Sequence, residues 1–178
     1  MSTESTEHPR VLVAGVGNIF LGDDAFGVEV VQRLARRPQP EGVRVVDFGI
    51  RGLDLTYALL DGYEAVVLVD AVPRGGPPGT LYVLEPELES DSTEEAPLME
   101  AHNMDPVRVL RLVTALGGKV ERLLIVGCEP ETTGSDEYVP VEMSAAVRSA
   151  VDEAVGLVEL LVAKLLHPEP VCEERTIP

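Results

Sequence analysis

Three side chains in this sequence have the types and placement to do chemistry together: Asp24, Asp70 and His102. Asp24 follows a short apolar run, Val11 to Val16, across a turn punctuated by Gly15, Gly17 and Gly22. Asp70 closes a second apolar run that begins at Ala65, and His102 stands just ahead of a third amphipathic stretch. Two carboxylates and one imidazole, with coordination positions left open, suit a first-row divalent metal. Three protein ligands with a vacant position is the pattern of a working metal site rather than a structural one. The same pair of acids also suits acid–base work with no metal, one carboxyl holding a proton that the other lacks. A third reading is purely structural: Asp23 or Asp24 caps a helix, and Asp70 accepts from loop amides.

The elements that must position these groups follow from periodicity. Val11–Val16 is rich in β-branched residues and predicts a buried strand. Helical spacing of Val28, Val31, Leu34 and Ala35 predicts a helix over 24–37, which Pro38 and Pro40 end. A second strand is predicted over 43–48, a short helix over 53–61, and a strand over 65–69 that is apolar throughout and so buried on both faces. After the Pro/Gly-rich loop 72–79 comes a short strand, 80–84, and an acidic connector, 85–100, of a length that in a compact domain is usually functional or mobile. A helix over 103–116, a strand over 122–127 and a long helix over 141–166 complete the chain.

This order calls for an α/β fold, a three-layer αβα sandwich on a mostly parallel five-stranded sheet. The expected strand order is 2-1-3-5-4, with strand 4 antiparallel at an edge. Such a sheet brings Asp24 and Asp70 to neighbouring strand ends where the strand order reverses, the edge at which open α/β sheets bind ligands. One domain is expected over 10–166, with a disordered tail over 1–9 and a flexible one over 167–178.

Composition excludes several classes. The 178 residues carry a formal charge of −17, spread along the chain, which disfavours nucleic acid and anionic membranes as partners. The N-terminus lacks the apolar segment of a secretory signal and no apolar run is long enough to span a bilayer, so a cytoplasmic location is expected. Cys128 and Cys172 are too few for a metal cluster and are read as reduced thiols. A dinucleotide fingerprint in the 15–22 loop fails because Phe20 stands where the third glycine belongs. Acids at the following helix N-terminus would also repel a pyrophosphate.

Beyond these patterns, Gly15-Val16-Gly17-Asn18 with Asp23-Asp24 and Gly27 resembles the opening of the hydrogenase maturation endopeptidases, with Phe20 in place of the usual leucine. The resemblance continues through Asp47-Phe48-Gly49-Ile50-Arg51-Gly52, Val69-Asp70-Ala71 with Gly79-Thr80, His102, and Gly127-Cys128-Glu129-Pro130 with Gly134 and Ser144. It covers roughly residues 11–165. It implies a protease that trims the C-terminus of a nickel–iron hydrogenase large-subunit precursor after nickel insertion. Asp24, Asp70 and His102 are then expected to contact the nickel that the precursor already carries, with Asp24 and Asp70 as the catalytic acids. Asn18, Asp47, Gly49, Arg51 and Gly52 are expected on the substrate side, and a stable metal of the protein's own is not expected. A nickel-binding maturation chaperone on the same scaffold, which cleaves nothing, is the alternative from another class.

Overall fold

The computed structural model describes residues 10–86, 106–131 and 142–167. Among these residues five strands and four helices follow in the order β1 (Val11–Val16), α1 (Phe26–Ala35), β2 (Val43–Gly49), α2 (Gly52–Leu59), β3 (Ala65–Ala71), β4 (Leu81–Leu84), α3 (Pro106–Ala115), β5 (Leu123–Cys128) and α4 (Ala145–Leu166). A single 3-10 turn, Gly22–Ala25, leads into α1. The strands form one sheet in the order β2-β1-β3-β5-β4, with β4 antiparallel to β5 and the remaining pairs parallel. This is the order expected from the sequence.

Alternation along the strands sorts the core into two layers. Val11, Val13, Val67, Val69 and Val126 point to the face covered by α1 and α4, where Phe26, Leu34, Val151 and Val155 meet them. Leu12, Ala14, Val66 and Leu68 point to the other face, against Leu55 and Leu59 of α2 and Val109 and Val113 of α3. Both faces of β1 and β3 are therefore buried, which is why those strands read as unbroken apolar runs. Among the described residues no helix is long and apolar enough to cross a membrane.

The structure moves several expected boundaries. The helix expected from residue 24 begins at Phe26, and Asp24 lies in the 3-10 turn before it. β3 runs on through Asp70 and Ala71, because β5 continues alongside and pairs Asp70 with Gly127 and Ala71 with Cys128. α4 starts at Ala145, where Ser144 accepts from the Val147 amide through its hydroxyl and caps the helix. The expected start of the third helix at 103, most of the acidic connector, His102 and the tails 1–9 and 168–178 lie outside the described residues.

α1 crosses β1 and β3 at very short range, and glycine permits it. A Cβ on Gly27 would stand 2.1 Å from the Val69 carbonyl oxygen and 2.4 Å from that of Val16. The start of α1 is thereby pressed onto the strand ends at the reversal of strand order.

Candidate active site

The loop between β1 and α1 is built to present one carboxylate. Gly17 adopts a φ of +130°, a region that side chains strongly disfavour, and a Cβ there would stand 1.8 Å from the Asp24 carbonyl oxygen. With no side chain at 17, the chain folds back on itself and the Asn18 amide donates to Asp24 Oδ2 at 2.7 Å. Asn18 Oδ1 in turn accepts from the Phe20 amide at 3.0 Å, fixing the loop tip. Neither acid caps the helix through its side chain. Asp24 reaches back toward β1 instead.

Two adjacent aspartates in this loop have separate tasks. Asp23 is buried and accepts from the Glu131 amide at 2.8 Å and the Ser144 amide at 2.7 Å. It ties the 3-10 turn to the segment after β5 and to the start of α4. Asp24, the neighbour, is half-buried and places its charge where Asp70 feels it.

Asp70 sits at the end of β3, where its Oδ1 accepts from the Ala71 amide at 2.8 Å. Burial lifts its pKa from the ordinary aspartate value to about 8, Asp24's negative charge adds to the rise, and the Ala71 bond offsets part of it. Burial also raises the pKa of Asp24, against the pull of the Asn18 amide. A pair of acids thus shares the carboxyl edge of β1 and β3, and the pair holds a proton into the neutral range. Strand alternation sends Asp70 to the face of Val66 and Leu68, the face on which α3 packs.

The expected substrate-side residues line the end of β2, next to this loop. Gly17 donates its amide to the Gly49 carbonyl at 3.0 Å, joining the two loops at their base. Asp47 Oδ2 accepts from Gln32 Nε2 at 3.1 Å. The Arg51 guanidinium folds back to donate to the Asp47 and Phe48 carbonyls and lies 3.5 Å from Asp54. Gly52 donates its amide to the Ile50 carbonyl at 3.0 Å. Asn18 is thus bonded to Asp24 and Gly49 to Gly17 of the same loop, whereas the Asp47 side chain is engaged by Gln32 of α1 and Arg51 by the end of β2 and by Asp54. His102 lies outside the described residues, and among those described no group of three His, Cys, Asp or Glu side chains is placed to hold a metal.

One organising acid was not singled out from the sequence. Glu129 follows β5, is buried, and accepts from the Arg74 amide at 2.8 Å, the Gly75 amide at 3.0 Å and the Tyr82 hydroxyl at 2.9 Å. Burial works against its charge, but these donors prevail and hold its pKa below the ordinary glutamate value. It pins the β3–β4 loop. A glutamate directly after a buried strand, opposite a Pro/Gly-rich loop, was the available signal. Cys128 beside it is buried, and burial together with the charges of Asp23 and Glu129 pushes its thiol up to about 12, so it is no nucleophile. A cavity of about 240 Å³ between Val13, Leu34, Pro40, Val45, Val158 and Val162 includes none of the candidate site residues.

The α/β sandwich thus carries two interacting carboxylates at its strand-order reversal, the edge at which open α/β sheets bind ligands. The model of the hydrogenase maturation protease family HycI matches residues 28–160. The hydrogenase expression/formation protein HupD of Rhizobium leguminosarum bv. viciae is 32% identical over 149 residues, covering 80% of this chain and 73% of that protein. The hydrogenase maturating endopeptidase HybD from E. coli superposes with a TM-score of 0.68 at 26% identity, over 87% of this chain and 93% of that one. A hydrogenase 2 maturation peptidase from Thaumarchaeota archaeon SCGC_AB-539-E09 gives a TM-score of 0.63 at 31% identity, over 86% of this chain and 97% of that one. The chain belongs to the hydrogenase maturation protease family, and its class is that of a hydrolase acting on peptide bonds.

Proposed function

We propose that this protein removes the C-terminal extension of a nickel–iron hydrogenase large-subunit precursor once nickel has been inserted. Asp24, Asp70 and His102 would read the inserted metal, which arrives as part of the substrate. The observation that carries this reading is the paired carboxylates at the ends of β1 and β3, where burial and Asp24's charge raise Asp70's pKa. A cation arriving with the precursor reverses that balance: it favours both charged carboxylates and draws the proton off Asp70. A precursor without metal offers no such gain and leaves Asp70 protonated beside Asp24. α3 begins four residues beyond His102 in the sequence and packs on the face toward which Asp70 points, which supports a common site.

A metal held between the two proteins polarises a carbonyl and lowers the pKa of bound water. Asp24 or Asp70, once ionised, then serves as general base. Metal contact through His102 requires the neutral imidazole, so activity should fall as pH drops through the ordinary histidine range. The protein is expected to act in the cytoplasm, without a tightly held metal of its own.

Intact-mass spectrometry of nickel-loaded and nickel-free precursor tests the reading. Wild type should release one C-terminal peptide from the loaded precursor only. Asp24→Asn, Asp70→Asn and His102→Ala should each slow that release by about 10²-fold or more. Stable nickel binding or transfer through the same three residues, with no mass change, would replace the protease by the chaperone.

A further inference from the structure

Nine large apolar side chains are exposed among the described residues, and five of them lie on two loops joined at their base and on the helix that follows: Ile19, Phe20, Ile50, Leu53 and Tyr57. The other four are spread over β4, α3 and its end, and α4. Ile19 and Phe20 occupy the tip of the loop whose neighbouring residue, Asn18, is bonded to Asp24. Ile50 stands next to Gly49, whose carbonyl accepts from Gly17 at the base of the same loop. Leu53 and Tyr57 are four apart on α2 and so share one side of that helix, while Leu55 and Leu59 face the core. Phe20 and Ile50 are each 63% exposed, Tyr57 is 59% and Leu53 58%. Grouped apolar exposure of this kind marks an interaction surface, whereas single exposed side chains do not.

The rim of this surface is acidic. Asp47 and Asp54 stand on the same β2–α2 segment, Asp24 lies in the turn that follows Phe20, and Arg51 is already engaged by Asp54 and by the Asp47 and Phe48 carbonyls. The whole chain carries −17. Such a surface is complementary to an apolar segment with positive charge beside it, and unsuited to an acidic one.

We infer that Ile19, Phe20, Ile50, Leu53 and Tyr57 form the docking surface for an apolar, cation-bearing segment of the precursor next to the bond that is cut. This rests on the protease reading above. Phe20 and Tyr57 are the anchors, since large aromatic side chains carry a disproportionate share of interface energy. Their exposure also means that truncating them removes little from the core.

The test compares wild type, the double variant Phe20→Ser/Tyr57→Ser and the control Leu160→Ser, which alters an exposed leucine on α4. Melting temperature first establishes that all three are folded. Cleavage of nickel-loaded precursor should show KM raised about tenfold or more in the double variant, with the loss carried by KM, and unchanged in the control. Binding of the same precursor to immobilised protein should weaken in parallel. Unchanged KM and unchanged binding in a folded double variant would overturn the inference. So would a wild-type dimer that the double variant abolishes without any change in KM, because the surface would then serve a second copy. If wild type cuts no precursor, the protease reading fails by itself; the binding comparison still decides whether this surface receives the precursor.

Discussion

Asp24 lies near enough to Asp70 that its charge adds to burial in lifting Asp70's pKa to about 8. An unfolded chain would release that proton near the ordinary value, about 3.9. Between those limits the folded protein holds one more proton than the unfolded one, so raising the pH favours unfolding. Stability from this group is therefore lost as pH climbs from about 4 to about 8, and the loss stops above that. Asp70→Asn removes the dependence. Melting temperatures of both proteins from pH 5 to 9 should show the variant's advantage widening up to about pH 8 and then levelling. A gap independent of pH would mean that Asp70 titrates as a surface acid.

Asp23→Ala should be strongly destabilising although it lies next to a residue of the proposed site. It would leave the Glu131 and Ser144 amides without their acceptor. Each buried unsatisfied amide costs about 1–3 kcal/mol, so a loss of about 2–6 kcal/mol is expected in urea unfolding. Asp24→Ala, which among the described residues strands the Asn18 amide alone, should lose clearly less stability and clearly more activity.

Gly27→Ala tests the close crossing of α1. The new methyl would press on two backbone oxygens, which cannot rotate away as a side chain does. Overpacking of this kind costs about 1–3 kcal/mol, and the helix must move outward to relieve it. Because Asp24 lies one turn ahead, cleavage should fall as well. Full activity with lowered stability would show that the turn carrying Asp24 does not follow the helix.

Glu129→Gln replaces a carboxylate that accepts from two amides and a hydroxyl by a group with one acceptor oxygen. The β3–β4 loop should loosen, and trypsin should cut faster after the exposed Arg74. Fragment masses over a digestion time course measure this. Equal rates in both proteins would mean that the loop is held by Pro73, Pro77 and Pro78 rather than by Glu129.

The strand order was readable because β1 and β3 are apolar on both faces and because a helix separates each pair of parallel strands. Asp24 and Asp70 were readable for the same reason: both lie just past apolar runs that must be adjacent. What the sequence concealed depends on distant partners. Nothing local distinguishes Asp23 from Asp24; the difference is two amides 108 and 121 residues further along. The helix start was misplaced because an acid before a helix suggests a cap, whereas here Gly17 lets the chain double back and offer Asn18 as the donor. β3 outran its expected end because pairing with β5 carries the polar Asp70 along. The apolar surface was hidden too, since Ile19, Phe20, Ile50, Leu53 and Tyr57 resemble core residues until the fold leaves them outside.

Asp23's two partners also impose an order on synthesis. The turn that displays Asp24 emerges from the ribosome early, but one of its anchors is the amide of Ser144. A nascent chain that has not yet delivered residue 144 lacks that anchor, and with it the docked start of α4. The turn that displays Asp24 therefore gains its full set of anchors only once residue 144 has been made, more than a hundred residues after the turn itself.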